Sequence, residues 1–142
     1  RIGGAYEGEF MAPLTGVDIL KLMIQLSAGQ KIDYKNLKKY SLKKNSTHLS
    51  SQLFFAAPGK IEKITSIRKI KELPGVLDVG FNYTQGDRIP QIENATARAG
   101  YFIVLAESKM QLKKRVGKVY DNLKILNSSS ENLVLREIGE KF

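Results

Sequence analysis

Between Thr15 and Gly29, Val17, Ile19, Leu20, Met23, Ile24 and Leu26 leave only Asp18, Lys21 and Gln25 as a narrow polar stripe. This spacing predicts a helix that is apolar around most of its circumference, and such a helix is expected to be buried on most sides, within layers of other structure. Thr15 is expected to cap its start, with Asp18 three residues on in the place of the usual Glu or Gln of a capping box, and Gly29 is expected to stop it. The few residues ahead of it cannot supply the cover it needs.

Farther along, the patterns shorten. "STHLSSQLFFAAPGKIEKI" reads as two strands joined at Pro58 and Gly59. "SIRKIKEL" predicts a short helix with Ser66 as N-cap, Ile67, Ile70 and Leu73 on one side, and Pro74 and Gly75 ending it. Leu77, Val79, Phe81 and Tyr83 alternate strictly, which predicts a half-buried strand running into a turn at Gly86 and Asp87. The loop "RIPQIENATARAG" leads into the continuous apolar strand "YFIVLA". Ser108 and Gln111 form a capping box for a second amphipathic helix, in which Leu112, Val116, Val119 and Leu123 share one face. "NSSSEN" is then a linker, and "LVLRE" a last strand.

From Lys60 onward the order is strand, helix, strand, strand, helix, strand, the split βαβ arrangement of a ferredoxin-like sandwich. The expected fold class is therefore α+β. That topology hosts many activities and names none of them. Two regions are expected: residues 1–45, holding the apolar helix and a basic connector, and residues 46–142, forming an α+β lobe.

Composition narrows the chemistry. The chain of 142 residues has no cysteine, which excludes disulfides, thiolate metal sites and cysteine nucleophiles. Its longest apolar runs are too short to span a bilayer, and the opening stretch lacks the order of a signal peptide, so a cytoplasmic protein without a membrane partner is expected. The net charge of +9 invites a polyanion reading. Its densest part, "YKNLKKYSLKKN", interleaves Lys35, Lys38, Lys39, Lys43 and Lys44 with Tyr34 and Tyr40, but no recognition-module signature accompanies it. A solvated surface is the expected reading of such a run, as it is of Lys113 to Arg115 on the polar side of the second helix. His48, the only histidine, has no chemical partner at a telling spacing and reads as a strand-edge residue. The aromatic residues at strand spacing read as core, not as stacking platforms for bases.

The first residues, "RIGG", join an arginine to two glycines, a pairing suited to holding an anion against the main chain. Together with "TGVDILKLMIQLSAGQ", this opening resembles the end of the ATP-grasp domain in the carboxylate–amine ligases and their relatives, among them biotin carboxylase, phosphoribosylglycinamide synthetase and the L-amino acid ligases. "FFAAPGKI", "LPGV", "GDRI" and "RAGYFIVLAES" look like the C-terminal lobe of the amino acid ligase branch. In that family a strand bearing metal-binding Glu and Asn runs into an arginine, often two glycines, and a helix opening with T-G-x-D.

The resemblance implies the C-terminal part of an ATP-dependent carboxylate–amine, or carboxylate–thiol, ligase that acts through an acyl phosphate. Residues 1–45 would be the end of the ATP-grasp domain. ATP and Mg2+ would be its cofactors, held by residues ahead of Arg1, so no metal ligand and no bound cofactor are expected within this stretch, which alone is not expected to catalyse. Arg1 matches the family arginine that contacts phosphate or the acyl-phosphate oxyanion, and Gly3 and Gly4 match the backbone positions beside it. Arg1 and Gly4 are thus the expected catalytic residues, and Arg1, Gly3, Gly4 and Glu7 the expected substrate contacts. Glu7 and Glu9 fall where a substrate-lining loop would lie, although "EGEF" departs from the common family pattern. The implied partners are the upstream part of the same protein and small carboxylate and amine substrates, with a homodimer left open. Nucleic acid is the alternative partner if the lobe is instead a free-standing basic module.

Overall fold

The computed structural model describes residues 3, 4, 6–33, 35 and 47–136. The chain divides into two compact units, Arg1–Thr47 and His48–Phe142.

In the first unit, α1 (Glu7–Thr15) is followed by α2 (Ile19–Ser27). The helix α1 replaces the loop expected around Glu7 and Glu9. Both acids fall in its first turn, where the exposed N–H groups of a helix favour negative charge. Gly16, at φ 79°, ends α1 and donates to the Ala12 carbonyl at 2.8 Å. Thr15 is therefore not the cap of α2. As the last residue of α1 its hydroxyl donates to the Met11 carbonyl at 2.6 Å, and Asp18 caps α2 instead, its carboxylate accepting from the Lys21 N–H at 2.8 Å.

The far end of α2 closes as expected. Gly29, at φ 72°, donates to Leu26 and Gln30 donates to Gln25, the paired reverse bonds of a Schellman stop. The expectation of burial on most sides fails among the described residues. None of α2 is buried, and Leu20, Ile24 and Leu26 are 47%, 61% and 50% exposed.

The second unit is built on a four-stranded antiparallel sheet. Its strands are β1 (His48–Ala56), β4 (Val76–Phe81), β6 (Gly100–Ala106) and β8 (Val134–Leu135), in the order β4-β6-β1-β8. Two helices, α3 (Ile67–Lys71) and α4 (Lys109–Asn122), contribute to one core against it. This is the split βαβ order, but its first strand is β1. The strand expected from Lys60 is two short pieces, β2 (Gly59–Lys60) and β3 (Lys63–Ile64), which pair outside the main sheet with β5 (Arg88–Ile89) and β7 (Ile125–Leu126).

The core joins Phe54 of β1, Phe102 and Val104 of β6, Ile70 of α3, and Leu112, Val116 and Val119 of α4. Burial of each such large side chain contributes about 1.5 to 3 kcal/mol. Ser50, the buried polar residue of β1, is satisfied by Gln52 Nε2, which donates to its Oγ at 2.6 Å. The uninterrupted apolar run of β6 reflects burial on both faces, since Ile103, opposite Phe102 and Val104, is fully buried as well.

Alternation in β4 is broken by a bulge between Val76 and Asp78, so Val76 packs against the core in place of Leu77. Ser66 caps α3 by accepting from Lys69 N–H at 3.3 Å, and of the expected apolar side Ile67 is exposed. Ser108 caps α4, accepting from Gln111 N–H at 3.2 Å. The Gln111 side chain closes the box one residue early, accepting from Glu107 N–H at 2.9 Å.

Candidate functional site

Arg1 lies outside the described residues, as do the lysines at 38, 39, 43 and 44. Gly3 and Gly4 are exposed and lead into α1 through Tyr6. The sequence places its unusual backbone at the glycine pair, but Tyr6 itself takes a left-handed conformation, φ 66° and ψ 31°. For a residue with a bulky side chain this region is sparsely populated and costs on the order of 1 to 3 kcal/mol. Nothing in the sequence signals it, because aromatic residues are not among those that adopt it readily. Its effect is local: the chain turns sharply at Tyr6, whose carbonyl accepts from Glu9 N–H at 3.0 Å and so begins α1.

The turn brings Glu7 back over Gly3. A methyl group on Gly3 would overlap the Glu7 carboxylate, so glycine at this position makes room for that side chain. The obstructing group is the end of a flexible chain, and rotation of Glu7 can relieve it. Gly3 and Glu7 are thus together in space, with Glu7 half-buried on a helical turn.

Other charged groups lie in the second unit. Asp78 on β4 accepts from Tyr101 Oη at 2.6 Å and pairs with Lys71 Nζ at 2.7 Å. Partial burial pushes its pKa up, but hydrogen bonds from Lys71, Tyr101 and the Val79 N–H, with the Lys71 charge, outweigh this and hold it below its ordinary 3.8. Gly80 permits the arrangement, since a methyl there would stand 2.5 Å from the Tyr101 ring. Asp87 is also held low, by the Thr84 N–H and hydroxyl, and serves to close the turn after β4. His48 opens β1, exposed, opposite Ala106. It lines a cavity of about 220 Å³ with Leu49, Lys109, Leu112 and Lys113. Among the described residues no three His, Cys, Asp or Glu side chains gather as a metal site would require. No single described helix is long and apolar enough to cross a membrane; α1 and α2 reach the required length and apolarity only as a pair bent by 114°.

Residues 52–127 match the family model "L-amino acid ligase C-terminal domain 2". The fold is similar to that of phosphoribosylglycinamide synthetase from Anaerococcus prevotii, with TM-score 0.71 and 15% identity, and of L-amino acid ligase from Bacillus licheniformis, with TM-score 0.70 and 17% identity. Each similarity covers 90% of this chain and 32% of the other, so the chain spans about a third of the length of these structures. No curated protein sequence matches it. The architecture is the mixed α and β fold of the C-terminal region of ATP-grasp ligases. The chain belongs to the L-amino acid ligase C-terminal domain 2 family.

Proposed function

We propose that the chain is the C-terminal part of an ATP-dependent carboxylate–amine or carboxylate–thiol ligase working through an acyl phosphate. The family match over residues 52–127 carries this reading, and the fold similarity, reaching across both units, supports it. Residues 1–45 are the end of the ATP-grasp domain in this proposal, and residues 46–142 the C-terminal lobe.

Activation of a carboxylate by phosphate leaves two charge problems: the phosphoryl oxygens, and the oxyanion that forms when the amine attacks the acyl carbon. Arg1 suits both, because its planar guanidinium offers paired donors and stays charged near neutral pH. The Gly4 amide adds a donor to the oxyanion, with no side chain to push the substrate away. Gly3 makes room for the Glu7 carboxylate, which in this proposal receives the cationic end of the substrate. ATP and Mg2+ belong to the same proposal. In the same proposal the groups that hold Mg2+ lie ahead of Arg1, and no metal step is assigned to this chain. Small carboxylates and amines, and the upstream part of the ligase, are the proposed partners.

The test is ADP release by the full-length protein carrying this sequence, supplied with Mg-ATP and a panel of carboxylates and amines. Arg1→Ala is expected to lower kcat about 100-fold, the typical loss of one pre-placed oxyanion donor, with the KM for ATP changed little. Arg1→Lys should recover only part of this. Turnover by Arg1→Ala within about threefold of wild type, far below the usual donor effect, would remove Arg1 from the mechanism, and no ADP release with any pair would overturn the ligase reading.

A further inference from the structure

A cleft of about 340 Å³ lies between the β3–β7 ribbon and the start of α3, well away from the opening glycines in sequence. Lys63, Lys69 and Lys124 line it with Thr65 and Ser66, over a floor of Ile64 and Leu126. We propose that this cleft binds a small ligand carrying clustered phosphates, independently of the ligase reaction.

Three observations point there. First, three exposed lysines and no acidic residue line the cleft. Like charges gathered this way repel one another, and an anion between them removes the penalty. Second, these lysines differ from their neighbours. Lys60 and Lys71 are paired with Glu62 and Asp78, and Arg68 with Glu72, whereas among the described residues Lys63, Lys69 and Lys124 are in no ion pair.

Third, the lysines stand on a fixed frame. Lys63 is in register with Leu126 across the ribbon, Thr65 N–H donates to the Lys124 carbonyl at 2.9 Å, and Lys124 N–H donates to Thr65 Oγ1 at 3.0 Å. The Ser66 Oγ accepts from Lys69 N–H, which leaves its own proton to donate into the cleft. The volume lies in the range of small-ligand sites, and lysine binds phosphate as a point charge without a fixed fork. A cavity of this volume suits a compact ligand. An extended strand would instead engage the exposed Lys109, Lys113, Lys114 and Lys118 of α4, and these are not in this cleft.

Inorganic tripolyphosphate is the probe, titrated into this chain at about 0.15 M salt, where exposed charges are largely screened beyond roughly 8 Å. Calorimetry should show saturable binding at one site, and amide resonances should move most from Lys63 to Lys69 and at Lys124. Lys69→Ala and Lys124→Ala should each weaken binding about tenfold, the worth of one charge-assisted contact. Lys113→Ala combined with Lys114→Ala, the control on α4, should leave affinity within about twofold, because neither lysine lines the cleft and exposed charges are screened at this salt. Absence of saturable binding would overturn the proposal. Equal weakening by the α4 control, or tighter binding of a thymidine octanucleotide than of tripolyphosphate, would do the same.

Discussion

Gly100→Ala is the substitution that most directly tests how the second unit is packed. Gly100 is buried at the start of β6, between Phe54 of β1 and Phe81 of β4 in the register of the sheet. A methyl group there would overlap the Gly80 carbonyl oxygen and stand 2.6 Å from Phe54 Cζ and 3.0 Å from its Cε1. Neither neighbour can withdraw cheaply. Gly80 is held in the β4–β6 ladder, and Phe54 is fully buried, edge-on to Phe81 at 5.8 Å and tilted against Phe102 at 6.3 Å. Overpacking of a filled core costs about 1 to 3 kcal/mol, and a backbone oxygen as the obstacle puts this case at the upper end. At about 4 to 8 °C per kcal/mol for a unit of this size, a cost of about 3 kcal/mol should lower Tm by roughly 12 to 24 °C. Melting followed by circular dichroism reads the shift, and urea unfolding with an unchanged slope would confirm that stability, not the extent of unfolding, has changed. Gly8→Ala is the contrast, because nothing lies within 4 Å of the added methyl and alanine favours the helix. If Gly100→Ala melted within about 3 °C of wild type, well short of the overpacking cost, the packing of β1 and β4 on β6 would be wrong.

Asp78 is held below its ordinary 3.8, so it stabilises the fold above the unfolded pKa and loses that contribution as pH falls through the folded one. Asp78→Asn should therefore reduce stability near neutral pH by about 1 kcal/mol and flatten its decline in acid, as read by urea midpoints between about pH 6 and 2. A decline as steep as wild type would exclude Asp78 as its source. Asn132→Ala should cost about 1 to 3 kcal/mol by leaving groups near β7 unpaired, since its Oδ1 accepts from Ile125 N–H at 3.0 Å and its Nδ2 donates to the Leu123 carbonyl at 3.3 Å. Chemical denaturation checks it. Gly75→Ala should destabilise by at least 1 kcal/mol, because Gly75 sits at φ 79° and a methyl there would press on the Leu105 carbonyl and on Arg115, which donates to that carbonyl at 2.6 Å. A neutral melting temperature would show that the chain after α3 can move aside.

What was legible in the sequence was set by how far each pattern is decided locally. The face of α4 is a run of spacings in one helix, and Leu112, Val116, Val119 and Leu123 are all buried. The caps at Ser66 and Ser108 depend on the next three residues, and both formed. The first strand of the sheet could not be chosen this way. Two apolar stretches flank Pro58, and only their pairing partners separate them: β1 runs along seven residues of β6, while β2 and β3 join ribbons of two residues each. The bulge that turns Val76 inward is equally a property of the partner strand, invisible in an alternating run. Thr15 lost its role as cap because α1 reached it first, which no pattern in the apolar helix itself could indicate.

The same distinction separates the two units in function. Within His48–Phe142, the apolar positions of strands and helices meet one another, and the core closes on residues of that unit. In α2 six of nine residues are apolar, yet Leu20, Ile24 and Leu26 keep about half of their surface or more in contact with water. Apolar surface of that density favours cover by about 25 cal/mol per Å². In the proposed reading the rest of a ligase supplies the cover, since the chain spans about a third of the length of its structural neighbours. The substitution that separates stability from assembly is Ile24→Ser: it should leave the melting of the second unit within about 1 °C, as an exposed change outside that unit's core does, while lowering activity of the full-length ligase.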